Sequence, residues 1–431
     1  MKPVSRRIDR IEATFDDANL VANAGLLLVG TLVARLGLEQ VINTTVRLVG
    51  RVGGALPGRK VLTLVHAIVA GGSHIDHADV LRSGGTGRVL PHRVMAPSTL
   101  GTFLRSFTFG HTRQLDQVTA RVLGRAAGAG PGDGPLVVDV DSTICEVHGS
   151  HKQGACYGYT RRLGYHPLLA TRADTGEVLH ARLRKGAANT ARGILRFVDE
   201  LVARLRRAGA SGELTFRMDS GFWSAKLIKR LRAHRVRYSI TVRQTKTVRA
   251  AIAAIDEAAW VPIAYQPDGV AQVAETPYRG DRLVVRRVRN LDDQQQLFPT
   301  WRYHAFVTDR VGATTWLDAD HRRHAVCELA IRDLKAGAGL AHLPSGQFNA
   351  NAAWLGAATL AHNLIRWTAS LGLGYGDHQT VAKTLRRTLL APPGRLTRSA
   401  RRWTLHLPAG WPWAHSFTMA LARLRCIPYP T

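Results

Sequence analysis

Two short apolar runs, each closed by an acid, interrupt a chain whose hydrophobic spacing is otherwise mostly helical. Leu136, Val137, Val138 and Val140 leave the turn-forming Gly130, Pro131, Gly132, Asp133, Gly134 and Pro135 and lead to Asp141, which predicts a central strand entered from a loop. Leu214, Thr215, Phe216 and Met218 repeat the device, and Asp219, Ser220 and Gly221 turn the chain into the next helix. Residues 164–171 and 177–184, joined by Ala173, Asp174, Thr175 and Gly176, predict a β-hairpin that completes a three-strand meander. Ile194, Phe197, Val198, Leu201, Val202 and Leu205 then share one helical face, with Asn189 or Thr190 as the cap. A helix over 223–234 and a strand over 237–242 follow, so the order is three strands, helix, strand, helix, strand.

Residues 1 to about 128 read as helical throughout. Leu100, Phe103, Leu104 and Phe107 form a buried stripe that Ser98 or Thr99 would cap, leaving Thr99, Thr102, Arg105 and Ser106 outward. That face suits a major-groove reader, but the same stripe is common in any helical domain, which favours an ordinary packing helix with a solvated face. The run 21–34 is too short for a membrane span and reads as a buried helix, as does the nearly all-apolar 350–371, which Asn349 would cap.

The two strand-end acids are 78 residues apart (219 − 141), so they meet only if their strands are neighbours in one sheet. Asp139 points the same way from its strand as Asp141 and is a candidate for a supporting role. Around Glu328 the spacing is helical: His321, His324, Glu328, Arg332 and Lys335 share one face, while Val326, Cys327, Ala330 and Leu334 take the other. A glutamate flanked by bases would hang over the strand ends and join the aspartates on a divalent metal, its basic neighbours gripping phosphate. Since 109 residues (328 − 219) separate these acids, something is inserted; alternation at 270–274 and 282–288 predicts a β-rich subdomain over 245–317.

A net charge of +28, from 59 Lys and Arg against 31 Asp and Glu spread along the chain, calls for a polyanion, and nucleic acid is the natural one. Cys145, Cys156, Cys327 and Cys426 lack C-x-x-C spacing, which argues against a zinc ribbon and a disulfide framework and fits a reducing cytoplasm. Near Met1, Lys2 and Pro3 no signal-peptide pattern is read, because Asp9, Glu12, Asp16 and Asp17 precede any apolar stretch. His74, Asp76, His77 and Asp79 lie too close together for one metal-binding helix face and read as a solvated helix start.

Taken in order, Asp139 to Thr143, Gly158 and Tyr159, Gly164 to Leu168, Asp219 to Phe222 and the Glu328 helix resemble the DDE transposases of bacterial insertion sequences, most closely the group catalogued as 1380. The resemblance covers most of the chain. It implies an α/β fold: a mixed-sheet, ribonuclease H-like catalytic core with a β-rich insertion, preceded by an all-helical DNA-binding domain. The expected division is 1–128 helical domain, 129–244 and 318–375 core, 245–317 insertion and 376–431 basic C-terminal segment. It also implies Asp141, Asp219 and Glu328 as catalytic and metal-holding residues for two Mg²⁺ ions, with Mn²⁺ as a substitute, Asp141 bridging. An aromatic that stacks on an extruded base belongs to this insertion in similar transposases; Trp260, Trp301 and Trp316 are candidates.

His148, Lys152, Arg161, Arg162, His321, His324, Arg332 and Lys335 are the expected DNA contacts. Relatives often carry tyrosine and arginine seven and four residues before the glutamate and lysine seven after it; here Lys335 is kept and His321 and His324 replace the other two. The implied partners are double-stranded DNA, as terminal inverted repeats and target, and a second copy of the chain in an end-paired dimer; the implied setting is a bacterial cytoplasm, near the nucleoid, with no membrane. Two other readings share parts of this pattern: a non-catalytic DNA-binding protein derived from a transposase, and a structure-selective nuclease with the same core.

Overall fold

In the computed structural model, residues 11–126, 132–149, 151–158, 160–265, 269–290, 301–374 and 381–430 are described. Met1 to Arg7, the linker residues 127–131, Tyr159 and the boundary near 375 lie outside the described residues. The chain is a mixed α/β protein with a helical N-terminal region and a β-rich core. After a two-residue strand β1 (Leu20–Val21) come α1 (Leu26–Arg35), α2 (Leu38–Thr45), α3 (Pro57–Val69), α4 (Pro97–Arg105) and α5 (Phe109–Arg125). Leu100, Phe103, Leu104 and Phe107 are buried as their spacing predicts. The expected side-chain cap is not made: α4 starts on Pro97 behind Ala96, because proline presets the first helical φ and needs no donor partner.

The core strands are β2 (Leu136–Ser142), β3 (Cys145–Glu146), β4 (Cys156–Tyr157), β5 (Leu163–Tyr165), β6 (Leu168–Arg172) and β7 (Val178–Arg182). Helix α6 (Ile194–Arg207), β8 (Leu214–Met218), α7 (Ala225–Ala233) and β9 (Val236–Thr241) follow. Strands β2, β6 and β7 form an antiparallel meander, while β8 and β9 run parallel to β2, giving the order β7-β6-β2-β8-β9. This topology is consistent with a ribonuclease H-like core. Helix α6 buries the six apolar residues of its stripe, but Gly193 at φ 81° stands in the cap position where Asn189 or Thr190 was expected. A left-handed entry of that kind is open to glycine at little cost.

The inserted residues do not form a sheet of their own. After α8 (Lys246–Ala253), strands β10 (Val261–Ile263), β11 (Gly269–Tyr278), β12 (Asp281–Asn290) and β13 (Arg302–Thr308) continue the core sheet beyond β9, to which β13 is antiparallel. The ninefold sheet therefore carries both halves. Then α9 (Thr314–Arg322) packs on β11 and β12, and a tight 3₁₀ turn at Arg323–Val326 leads into α10 (Cys327–Gly337), which packs on two later helices.

Helix α11 (Phe348–Trp367) explains why its sequence is apolar all round: α3, α4 and α5 pack on it from one side and β7 from another. It begins one residue ahead of Asn349, which is not its cap. Asn363 takes the backbone of Val178 at the sheet edge with both ends of its amide, each at 2.8 Å. The helical region and the sheet thus share one continuous apolar core. The C-terminal part adds α12 (Ala382–Leu385), the hairpin β14 (Gly394–Ser399) and β15 (Arg402–His406), which pairs with β1, and α13 (Ala414–Cys426). Among the described residues no single helix is long and apolar enough to cross a membrane.

Candidate active site

Register sets the positions of the first two acids. In the parallel pair β2·β8, Asp139 faces Arg217 and Val140 faces Met218, so the next step of each strand delivers Asp141 and Asp219 at adjoining ends. The first rung is a closed ion pair: Arg217 Nε and Nη2 donate to the two Asp139 oxygens at 2.7 and 2.8 Å, both side chains being buried. The strand ends beyond it set two acids beside each other, and His324 is the basic group that reaches them, its Nε2 lying 3.7 Å from Asp219 Oδ1. Asp141 is half-buried and accepts from the Ser142 amide at 2.6 Å, whereas the Asp219 side chain is 60% exposed.

Burial pushes the Asp141 carboxyl up to about 6, and the charges of Asp219 and Glu328 push the same way against the Ser142 bond and His324. Glu328 sits exposed in the first turn of α10, while Cys327, Ala330 and Leu334 of that helix face the core. Asp219 and Glu328 are therefore both close enough to act on Asp141. Yet the single group of three ligand-type residues whose donor atoms all lie within 4.8 Å, among the described residues, is a different one: Asp116, His180 and Glu200.

The Asp116 group is by donor type and spacing capable of coordinating a divalent ion, but its composition differs from the acid triad and arginines crowd it. Arg204 lies 2.7 Å from Asp116; Arg113 and Arg196 lie 2.7 and 3.0 Å from Glu200, and Arg182 also binds Glu200. Burial works against the charged acids, but the contacts from His180 and these arginines hold Glu200 down at about 2 and Asp116 below the usual carboxylate range. An incoming cation would have to displace or face four guanidinium groups, so we read this cluster as an ion-pair joint between α5, β7 and α6.

Two expected phosphate contacts are placed elsewhere. In a 3₁₀ turn residues three apart eclipse, and that turn swings His321 and His324 inward from the face of Glu328. His321 has both ring nitrogens engaged, by Ser239 Oγ at 2.6 Å and Thr241 Oγ1 at 3.0 Å, and stacks on Phe306. Burial, then the neighbouring cations, hold its pKa well below the usual value, so it is neutral. His324 is buried; Nδ1 binds Asp139 Oδ1 at 2.8 Å and Nε2 lies 3.7 Å from Asp219 Oδ1. Burial opposes its charge, but the bond to Asp139 and the charges of Asp139, Asp219 and Asp141 win, raising its pKa.

The other expected contacts are spread around the site. Arg332 is exposed and Lys335 half-buried on α10, the latter close enough to act on Cys145 of β3. His148 and Arg161 are exposed; Arg162 pairs with Glu146 at 2.8 Å. Lys152 donates to the Leu343 carbonyl, so its ammonium is partly spent on the protein. Trp260 is buried against Arg287, and Trp316 is half-exposed beside Arg310.

Arg217 is the residue that sequence reading passed over. Its signal was present: it stands two before Asp219, as Asp139 stands two before Asp141. It also donates to the Asp320 carbonyl at 2.6 Å, tying the rung to the end of α9.

A search of curated proteins finds no match. Among solved structures, the chain is similar to a piggyBac transposase in a synaptic complex with hairpin DNA, at 13% identity and a TM-score of 0.46, over 84% of this chain and 78% of that one. The family model described as transposase DDE domain, group 1, matches residues 3–429. A match over that much of the sequence settles kinship: the chain belongs to the DDE transposase superfamily, in the group 1 family of transposase DDE domains.

Proposed function

We propose that this chain is a DNA transposase of an insertion sequence, of the group catalogued as 1380, that binds terminal inverted repeats and carries out metal-dependent strand cleavage and strand transfer. The observation that carries the reading is the end of the β2·β8 pair, two residues beyond Asp139 and Arg217, where parallel register leads to Asp141 on one strand and Asp219 on the other, and where burial, with the charges of Asp219 and Glu328 added to it, raises the Asp141 pKa. Acids that oppose one another at a strand end are costly unless a cation joins them.

Asp141 and Asp219 would hold one Mg²⁺, and Asp141 with Glu328 a second, Mn²⁺ serving as a substitute. Such ions lower the pKa of a bound water or 3′ hydroxyl and neutralise the leaving oxygen. The donor set fits hard divalent cations, being carboxylate oxygen throughout. Arg217 holds Asp139, which keeps the neighbouring strand ends in register. Arg332, Lys335, His148, Arg161 and Arg162 would draw the phosphate backbone across the strand ends, with Lys152 contributing less charge. End pairing brings in a second copy of the chain, and the work is done in the bacterial cytoplasm on nucleoid DNA.

The test is cleavage of labelled DNA carrying the repeats that flank the coding sequence, with Mg²⁺ or Mn²⁺. Asp141→Asn, Asp219→Asn and Glu328→Gln should each abolish cleavage while repeat binding survives. Full activity in these variants would overturn the assignment. Cutting of flaps or forks without regard to the repeats would favour the structure-selective nuclease instead.

A further inference from the structure

His324 reaches from the closed Asp139 and Arg217 pair to the open strand ends beyond it. Its Nδ1 is 2.8 Å from Asp139 Oδ1, and Asp139 is itself held by both arms of Arg217, so the ring cannot turn without giving up its buried bond to a fixed carboxylate. Its Nε2 points to the open strand ends, 3.7 Å from Asp219 Oδ1. That separation is too long for a hydrogen bond. It lies just beyond the span of two donor atoms that share an ion: at about 2.1 Å from the metal, with bond angles of 90–120°, they stand about 3.0–3.6 Å apart, so binding would draw the side chains slightly together.

We propose that His324 is itself a metal ligand, completing through Nε2 the shell of the ion held by Asp141 and Asp219, with Asp139 as its orienting carboxylate. This rests on the proposed metal-dependent reading of the Asp141 site and adds a fourth donor to it. The chain Arg217, Asp139, His324, metal is the arrangement by which proteins fix the tautomer of a ligating imidazole: Nδ1–H donates to the carboxylate, which leaves the Nε2 lone pair for the ion. A nitrogen donor moves preference from Mg²⁺ towards Mn²⁺ and later first-row ions. The ring is thus withdrawn from any contact with DNA phosphate.

Pulsed electron paramagnetic resonance of the full chain loaded with Mn²⁺ alone tests this without any cleavage. The expected result is a coupling from one directly bound nitrogen, altered when histidine is supplied as ¹⁵N. His324→Gln should remove it while Mn²⁺ stays bound about tenfold or more weaker, and Mg²⁺ binding should change less. If His324→Gln fails to fold, the isotope shift in the native chain together with loss of the signal in Asp219→Asn carries the same conclusion. Mn²⁺ bound in an Asp219-dependent way with no nitrogen coupling overturns this inference and leaves the carboxylate site standing. A nitrogen coupling that survives in His324→Gln overturns it too. Absence of any Asp219-dependent Mn²⁺ binding brings down the metal reading of the site first.

Discussion

Arg217 grips Asp139 with two parallel hydrogen bonds, 2.7 and 2.8 Å long, in a place where both side chains are almost fully buried. A pair of this kind is costly to open from one side, since the remaining charge keeps its desolvation and loses its partner. Arg217→Met should therefore destabilise the fold by about 3–5 kcal/mol. Urea unfolding checks it, and Asp139→Leu added to Arg217→Met should recover a substantial part. Little change in the midpoint of Arg217→Met would mean the pair contributes only geometry.

The strands, the meander, the α6 stripe and the two acid-bearing strand ends were legible because each is a short-range pattern of period two or 3.6. What the sequence hid depended on partners far along the chain. Nothing local says that β13 will lie beside β9, so the insertion read as separate when its strands in fact extend the sheet. The inward turn of His321 and His324 was hidden for a similar reason: an even helical wheel has no place for four residues of 3₁₀ geometry at Arg323–Val326. The Asp116 cluster draws from α5, β7 and α6, three elements with no shared motif.

That cluster is expected to act as a joint and not as a metal centre. Asp116→Asn removes the counter-charge of Arg204, which is 4% exposed, and should cost on the order of 3 kcal/mol. Thermal unfolding reads the loss, and the number of Mn²⁺ ions bound should stay the same. A drop in bound Mn²⁺ would instead make it a metal site. For Glu200, depressed from 4.5 to about 2, the stabilisation is present above pH 4.5 and disappears as pH falls through about 2. Glu200→Gln should therefore flatten the acid limb of the stability curve in that window.

Asp141 gives the opposite sign. Its carboxyl is raised from 3.8 to about 6, so the folded chain binds this proton more tightly than the unfolded one. In the metal-free protein its contribution is full below pH 3.8 and is lost as pH rises through about 6. A divalent cation needs the ionised form. The stabilisation that Mn²⁺ confers should consequently be small at pH 5 and grow through pH 6 to a plateau above it. Glu177, pushed up to about 7 chiefly by burial, shifts the metal-free curve in the same direction, so the difference between loaded and unloaded protein is the quantity to follow. The same Mn²⁺ effect at pH 5 and pH 7.5 would show that Asp141 does not bind the ion.

Exposure ranks the basic residues as DNA contacts. Arg332 stands exposed one turn beyond Glu328 on α10, while the Lys152 ammonium is held by the Leu343 carbonyl and its pKa is lowered by burial. A cation that meets phosphate releases about one counter-ion, so removing it reduces the slope of log affinity against log salt by about one. Arg332→Ala should show that change in repeat binding measured between about 50 and 200 mM salt, and Lys152→Ala a smaller one. His321→Ala should leave the slope untouched and lower stability, because its ring joins Ser239, Thr241 and Phe306 and carries no charge to the DNA. If His321→Ala flattened the slope as much as Arg332→Ala, the ring would have to leave its stack on binding, and α9 would move with it.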